Sequence, residues 1–153
     1  MSDTDTLVRL LADRAEIEDL VARHTVWIDE QRWDETGRIF TEDVAVTSPR
    51  GEARGIPALV ALVSGGNGYE ATLHTKANVV IDLDGDTAAV RANDLGVFLK
   101  EGNEAAVAAG THHYTARRTG AGWRFDGLRV APFAVTAGLP GRSDPVRRTK
   151  NRP

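Results

Sequence analysis

Apolar side chains recur every three or four positions between Asp13 and Asp29, at Ile17, Leu20, Val21, Trp27 and Ile28, the spacing that puts them on one face of a helix. Asp13 followed by Glu16 has the form of a capping box, so the helix is expected to begin there. His24 lies one turn after Leu20 and one before Ile28, and therefore points with the stripe toward the interior. A second, short helix is predicted over Arg32 to Phe40, with Trp33, Gly37 and Phe40 on one side. Thr41-Glu42-Asp43 then breaks it, and Val44 and Val46 open a strand-like alternation. Ser48 to Gly55 contains Pro49, Gly51 and Gly55 and reads as a turn, after which Pro57 opens a helix that runs to Val63.

From Thr72 the period changes to two. Long strands are predicted at about 72–82, 87–99, 105–118 and 123–135. The connections Asp84-Gly85-Asp86, Glu101-Gly102-Asn103 and Gly120-Ala121-Gly122 are short and supply glycine for positive φ, which marks consecutive antiparallel hairpins. Helices first and a strand meander afterwards imply an α+β domain, with a strongly curved sheet wrapped around the N-terminal helices. The small residues Ala105 to Ala109 are expected to relieve crowding where that sheet bends.

At 153 residues the chain is the size of one domain, expected over residues 6–138, with residues 139–153 as a solvated basic tail. The tail holds Arg142, Arg147, Arg148, Lys150 and Arg152, so the body keeps 14 basic against 21 acidic residues, a charge of −7. An acidic body argues against nucleic acid as a partner, since that affinity comes from clustered cations. The N-terminus has neither the early positive charge nor the apolar stretch of a secretory signal, and no span has membrane-crossing length. The expected location is therefore cytoplasmic, with no membrane partner. There is no cysteine, which leaves only histidine and carboxylates as metal ligands.

The informative residues are polar ones predicted to face inward. Asp29 closes the helical stripe and reads either as a solvated cap or as a carboxylate at a cavity mouth. His74 begins the first long strand. Of His112 and His113 one must face in and the other out, because strand side chains alternate. Arg91 and Asn93 share a face that suits water, which turns Val90, Ala92, Asp94 and Phe98 inward; a buried Asp94 then needs a partner, and histidine is the natural one. His112-His113 cannot ligate one ion, no histidine pair has metal-site spacing, and no Gly-x-Ser-x-Gly elbow occurs. Gly65-Gly66-Asn67-Gly68 lacks the lysine and hydroxyl of a phosphate loop. Acid–base chemistry by histidine and aspartate, with no metal or cofactor, is what remains.

The strings WIDEQRWDETGRIFTEDV (27–44), LHTKANVVIDLDGDTAAV (73–90) and GWRFDGLRV (122–130) resemble the SnoaL-like branch of the nuclear transport factor 2-like superfamily, over roughly residues 8–136. The resemblance implies a cone-shaped fold whose early strand near Val44 joins the sheet, making it mixed, with a pocket inside the cone. It also aligns Asp29 and His74 with the aspartate–histidine pair of scytalone and bile-acid dehydratases, which makes them the candidate catalytic residues. Trp27 and Ile28 stand where those enzymes often carry tyrosine, Phe98 where one carries a second histidine, and His112 where a pocket amide is found. The expected function is thus a cofactor-independent lyase or isomerase acting on a cyclic or polycyclic apolar oxygenated metabolite. The alternative is a non-catalytic ligand-binding or assembly subunit of the same fold. Trp27, Phe98, His112, Tyr114, Asp94 and Asn78 are the candidate substrate-binding residues, with Trp33, Phe40 and Phe133 completing an apolar wall. A homodimer or homotrimer is expected through an outer sheet face carrying His113, Thr115, Arg117, Trp123 and Phe125.

Overall fold

The computed structural model describes residues 2–65 and 68–136. Helix α1 (Asp3–Asp29) leads through a 3-10 turn (Trp33–Glu35) into the short α2 (Thr36–Ile39). Strands β1 (Phe40–Ser48) and β2 (Gly51–Arg54) form a hairpin, followed by α3 (Ile56–Ser64). Four long strands follow: β3 (Ala71–Asp84), β4 (Thr87–Leu99), β5 (Ala105–Thr119) and β6 (Gly122–Val135). They join one six-stranded sheet in the order β2-β1-β6-β5-β4-β3. Only β1 and β6 run parallel, so the fold is α+β with a mixed sheet, as the resemblance implied.

The long strands lie within two residues of their expected limits because period-two patterning and glycine turns agree along that half of the chain. Three expectations in the first half are corrected. Helix α1 starts at Asp3: Ser2 Oγ accepts from the Asp5 amide at 3.1 Å and the Asp5 carboxylate accepts from the Ser2 amide at 3.0 Å, so the capping box is there and not at Asp13. The Ser48–Gly55 stretch is not all turn, because Gly51–Arg54 pairs with β1 as an edge strand. Phe40, placed at the end of a helix by its spacing, is the first residue of β1.

Asp13, Ile17, Leu20, Val21, His24 and Trp27 form the buried stripe of α1. It packs on Val90, Tyr114, Trp123 and Phe125 of the concave sheet face. Trp123 and Phe125 are wholly buried, so they do not belong to the outer face where a surface for self-association was expected. Register shifts at Ala77/Val80, Ala109/Gly110 and Thr115/Ala116 bend the strands. At Gly110 a Cβ would sit 2.5 Å from the Ala131 carbonyl oxygen, so only glycine lets β5 and β6 approach there. The expected tail, residues 139–153, and two residues of the Gly65–Gly68 loop lie outside the described residues.

Candidate functional site

Between the concave sheet face, the C-terminal end of α1 and α3 lies a cavity of about 1160 Å³. Its wall is mainly apolar, with Trp27, Trp33, Leu59, Phe98, Val130 and Phe133 among the lining residues. A void of this size and character suits a small organic molecule.

Asp29 is the last residue of α1, and β3 runs past it. Its Oδ1 lies 2.6 Å from His74 Nδ1 and accepts from Thr72 Oγ at 2.9 Å, while Oδ2 accepts from the His74 backbone amide at 2.7 Å. Thr72 and His74 are two apart on one strand, so both side chains reach the helix end. Three donors fix the carboxylate. With the Asp29 oxygen as acceptor, Nδ1 is the donating nitrogen of His74, and Nε2 is left to the cavity. Phe98 meets the imidazole edge-on at 5.4 Å between ring centres. Gly96, directly across from His74, makes room for both rings: a Cβ there would stand 2.8 Å from Phe98 and 3.1 Å from His74.

Two residues further along β3, Lys76 enters the same wall. It is the cross-strand neighbour of Asp94, and the two side chains form an ion pair. His112 Nε2 approaches the other Asp94 oxygen at 3.3 Å. The inward orientation of Asp94 and its histidine partner match the expectation, whereas Lys76 was missed. Burial alone would raise the Asp94 carboxyl, but His112 and the Lys76 ammonium outweigh it and hold the group well below the usual carboxylate range. Burial lowers the Lys76 ammonium, opposed by Asp94. Burial also lowers His112, against the pull of Asp94, so that ring is neutral.

Of the other candidates, Trp27 lines the cavity and is pinned by its Nε1–H donating to Thr36 Oγ at 2.9 Å. Asn78 is corrected: it sits at the register shift of β3 with φ 51°, exposed and outside the cavity wall. Tyr114 and Phe40 are corrected as well, since both are buried in the core behind the cavity rather than lining it. Tyr114 instead touches the site through His112, with its hydroxyl 3.3 Å from His112 Nδ1. His24, read as a core histidine, is buried but also lines the cavity.

Fold and cavity together define an α+β cone enclosing a ligand-sized chamber with paired acid–base side chains in its wall. The chain belongs to the SnoaL-like domain family, whose pattern matches residues 9–129. Among solved structures it is similar to a protein from Novosphingobium aromaticivorans named for scytalone dehydratase, with TM-score 0.82 and 22% identity over 96% of this chain and 99% of the other. It is also similar to the hexachlorocyclohexane dehydrochlorinase LinA type 2, with TM-score 0.78 and 22% identity over 95% and 99%. A further similar structure is a nuclear transport factor 2-like protein with a cystatin-like fold from N. aromaticivorans, with TM-score 0.77 and 25% identity over 88% and 91%. No curated protein matches the chain in sequence. Among the described residues no helix is long and apolar enough to cross a membrane.

Proposed function

We propose that the protein is a cofactor-independent lyase or isomerase in which His74, oriented by Asp29, moves a proton next to a carbonyl of a cyclic, largely apolar oxygenated molecule. The observation that carries this reading is the 2.6 Å Asp29–His74 contact inside an apolar chamber, with Nε2 left toward the void. His74 Nε2 takes the proton, and the C–H electron pair becomes the carbon–carbon double bond of an enolate. Asp29 accepts the Nδ1–H throughout and stabilises the imidazolium that forms. The negative charge gathers on the carbonyl oxygen. Lys76 has three donors and Asp94 takes only part of them, so its ammonium is the group able to hold that oxygen. In an elimination the imidazolium returns its proton to a departing hydroxyl as the carbon–oxygen bond breaks, releasing water. In an isomerisation it returns the proton to another carbon of the same enolate. Two of the similar folds carry the names of a dehydratase and a dehydrochlorinase, and both names denote loss of a proton together with a leaving group.

The assembly we propose is a homodimer or homotrimer through the convex sheet face, where Leu73, Leu95 and Val97 of β3 and β4 are exposed side by side. The test of the catalytic reading is a screen of cyclic ketones and β-hydroxyketones, followed by absorbance of the conjugated product and by thermal shift, with wild type and His74→Ala in parallel. Turnover in wild type that is lost in the variant supports the dyad. Equal turnover, or equal ligand-induced shifts without turnover, removes it in favour of a binding subunit.

A further inference from the structure

Behind the dyad, five side chains from α1, β5, β4 and β3 form a second polar chain. His24 Nδ1 lies 2.9 Å from the Tyr114 hydroxyl, that hydroxyl 3.3 Å from His112 Nδ1, and His112 Nε2 3.3 Å from Asp94, which pairs with Lys76. One arrangement of hydrogens satisfies every link. Asp94, an ionised carboxylate, can only accept, so His112 carries its hydrogen on Nε2. A neutral ring protonated there has a lone pair on Nδ1, so Tyr114 donates to His112. The tyrosine oxygen, its hydrogen committed, accepts from the other side, and His24 must therefore hold its hydrogen on Nδ1.

The consequence falls on the far nitrogen of His24. Its ring is part of the cavity wall, stacked on Trp27 at 5.7 Å and edge-on to Phe40 at 5.5 Å, and Nε2 has no hydrogen-bond partner among the described residues. The groups that bear on it are Lys76 and His74 from β3, Asp94 from β4, and His112 and Tyr114 from β5. Burial, reinforced by Lys76 and the other two histidines, pushes His24 well below the ordinary imidazole value, so the ring is neutral and Nε2 is a lone pair.

We propose that this ordered chain makes His24 Nε2 a hydrogen-bond-accepting subsite in the cavity, selecting ligands that present an alcoholic or phenolic hydroxyl there, and that His112 sets its polarity. The proposal rests on the preceding reading only in that the cavity takes a small molecule; it needs neither turnover nor the Asp29–His74 pair. His112 acts here as a positioning residue. Without it the Tyr114 hydroxyl is free to turn and donate to His24 Nδ1, which forces the hydrogen of His24 onto Nε2 and converts an acceptor into a donor.

Long-range ¹H–¹⁵N correlation on the uniformly labelled full chain near neutral pH reads each ring directly, and 2-naphthol with 2-methoxynaphthalene is the probe pair, equal in shape but differing in one donor. The expected result is His24 with hydrogen on Nδ1 and His112 with hydrogen on Nε2. His112→Phe should switch His24 to Nε2–H, and Tyr114→Phe, which preserves the ring packing, should abolish the single preference. Addition of 2-naphthol should shift the His24 Nε2 resonance in wild type and bind about tenfold more tightly than the methyl ether, as one added hydrogen bond implies. That preference should vanish in His112→Phe, with the His113 resonances on the convex face reporting that the sheet is intact. His24 found as Nε2–H or charged in wild type, an unswitched tautomer in a folded His112→Phe, an unchanged one in Tyr114→Phe, or no discrimination between the two naphthalenes overturns the proposal. A catalytically dead dyad leaves all of these readings in place.

Discussion

Helix α1 carries two carboxylates out of bulk water, Asp13 and Asp29, sixteen residues and so about 24 Å apart. Asp13 accepts from Trp123 Nε1 at 3.0 Å and from Arg118 at 2.7 Å, and Arg118 lies over the Trp123 ring at 4.8 Å while also reaching Asp86 at 2.8 Å. One turn on, Glu16 accepts from the Trp123 amide at 2.7 Å. Every side-chain donor there, indole or guanidinium, keeps its proton at any physiological pH, and Asp13 is absent from the cavity wall. Asp29 has three donors to Asp13's two, but one of them is an imidazole whose second nitrogen faces a void. A fully occupied buried aspartate is therefore not by itself a mark of chemistry. What separates the two ends of the helix is a donor able to exchange its proton, placed beside space for a reactant.

Exchanging amides for these carboxylates should separate the two ends most sharply. Asp29→Asn and His74→Ala are expected to lower kcat by roughly a hundred- to ten-thousand-fold, the usual effect of losing a general base or its orienting group. Asp13→Asn should leave kcat within a few-fold but lower the unfolding free energy read from urea curves by about 2 kcal/mol, the cost of a half-satisfied buried pair. Steady-state rates beside denaturation curves for the three variants decide it; the comparison fails if Asp13→Asn also abolishes turnover.

Removing the Lys76 ammonium from the cavity wall comes next. Lys76→Met keeps the length of the side chain but no donor, and should reduce kcat about a hundredfold, with KM changed less, if Lys76 holds the developing oxyanion. A change confined to KM would make it a ground-state contact only.

Acid should separate the ends in a third way. His24 and His112 both bind a proton less readily in the fold than at the ordinary value of 6.5. Below that pH the unfolded chain takes up protons the native state refuses, so stability falls as pH drops, by up to about 1.4 kcal/mol per unit for each ring. Asp13 and Asp94 are shifted the other way for carboxylates, downward. Their stabilisation is complete above the ordinary 3.8 and fades only beneath it. Urea midpoints between about pH 7.5 and 5 should therefore decline in wild type and decline less in His112→Phe, while Asp13→Asn keeps the wild-type slope.

The smallest expected effect lies on the convex face. Leu95→Lys should alter intrinsic stability by less than about 0.5 kcal/mol, as exposed substitutions do, yet shift light-scattering mass toward the monomer. An unchanged mass, or a monomeric wild type, removes the self-association reading.

The two halves of the chain differ in how much the sequence disclosed. The meander was legible because alternation, strand length and glycine turns agree from Thr72 onward. The start of α1 was not: Leu7, Val8, Leu10 and Leu11 are all exposed, so no buried stripe announces the first ten residues. Strand β2 is only four residues long and sits among Pro49, Gly51 and Gly55, where turn signals conceal an edge strand. In the site, Asp29 and His74 each stood out as inward-facing polar residues, but only the family resemblance paired them, because their contact joins a helix end to a strand 45 residues later. Lys76 went unread because lysine is almost always solvated, although its place two residues after His74 on the same face was available as a signal. Asn78 misled for the opposite reason: a single left-handed residue shifts the register, and periodicity carries no trace of it.

The alanine and glycine residues near the bend of the sheet bear on how far this protein can be stabilised. Gly96 and Ala108 pair across β4 and β5, Gly110 pairs with Asp94 in the next inward-facing row, and Ala108 and Gly110 line the cavity. The chamber exists because volume was left out at those positions, and unfilled volume weakens packing by about 24 cal/mol for each Å³ that no atom occupies. Larger side chains in this row, Ala108→Leu for instance, are thus the substitutions that selection for heat resistance alone would favour, and they are the ones that extinguish the site. Fitness for binding and fitness for endurance pull in opposite directions along this one row of the sheet, so a thermostable variant worth having must be strengthened elsewhere, at the sealed Asp13 end of the cone.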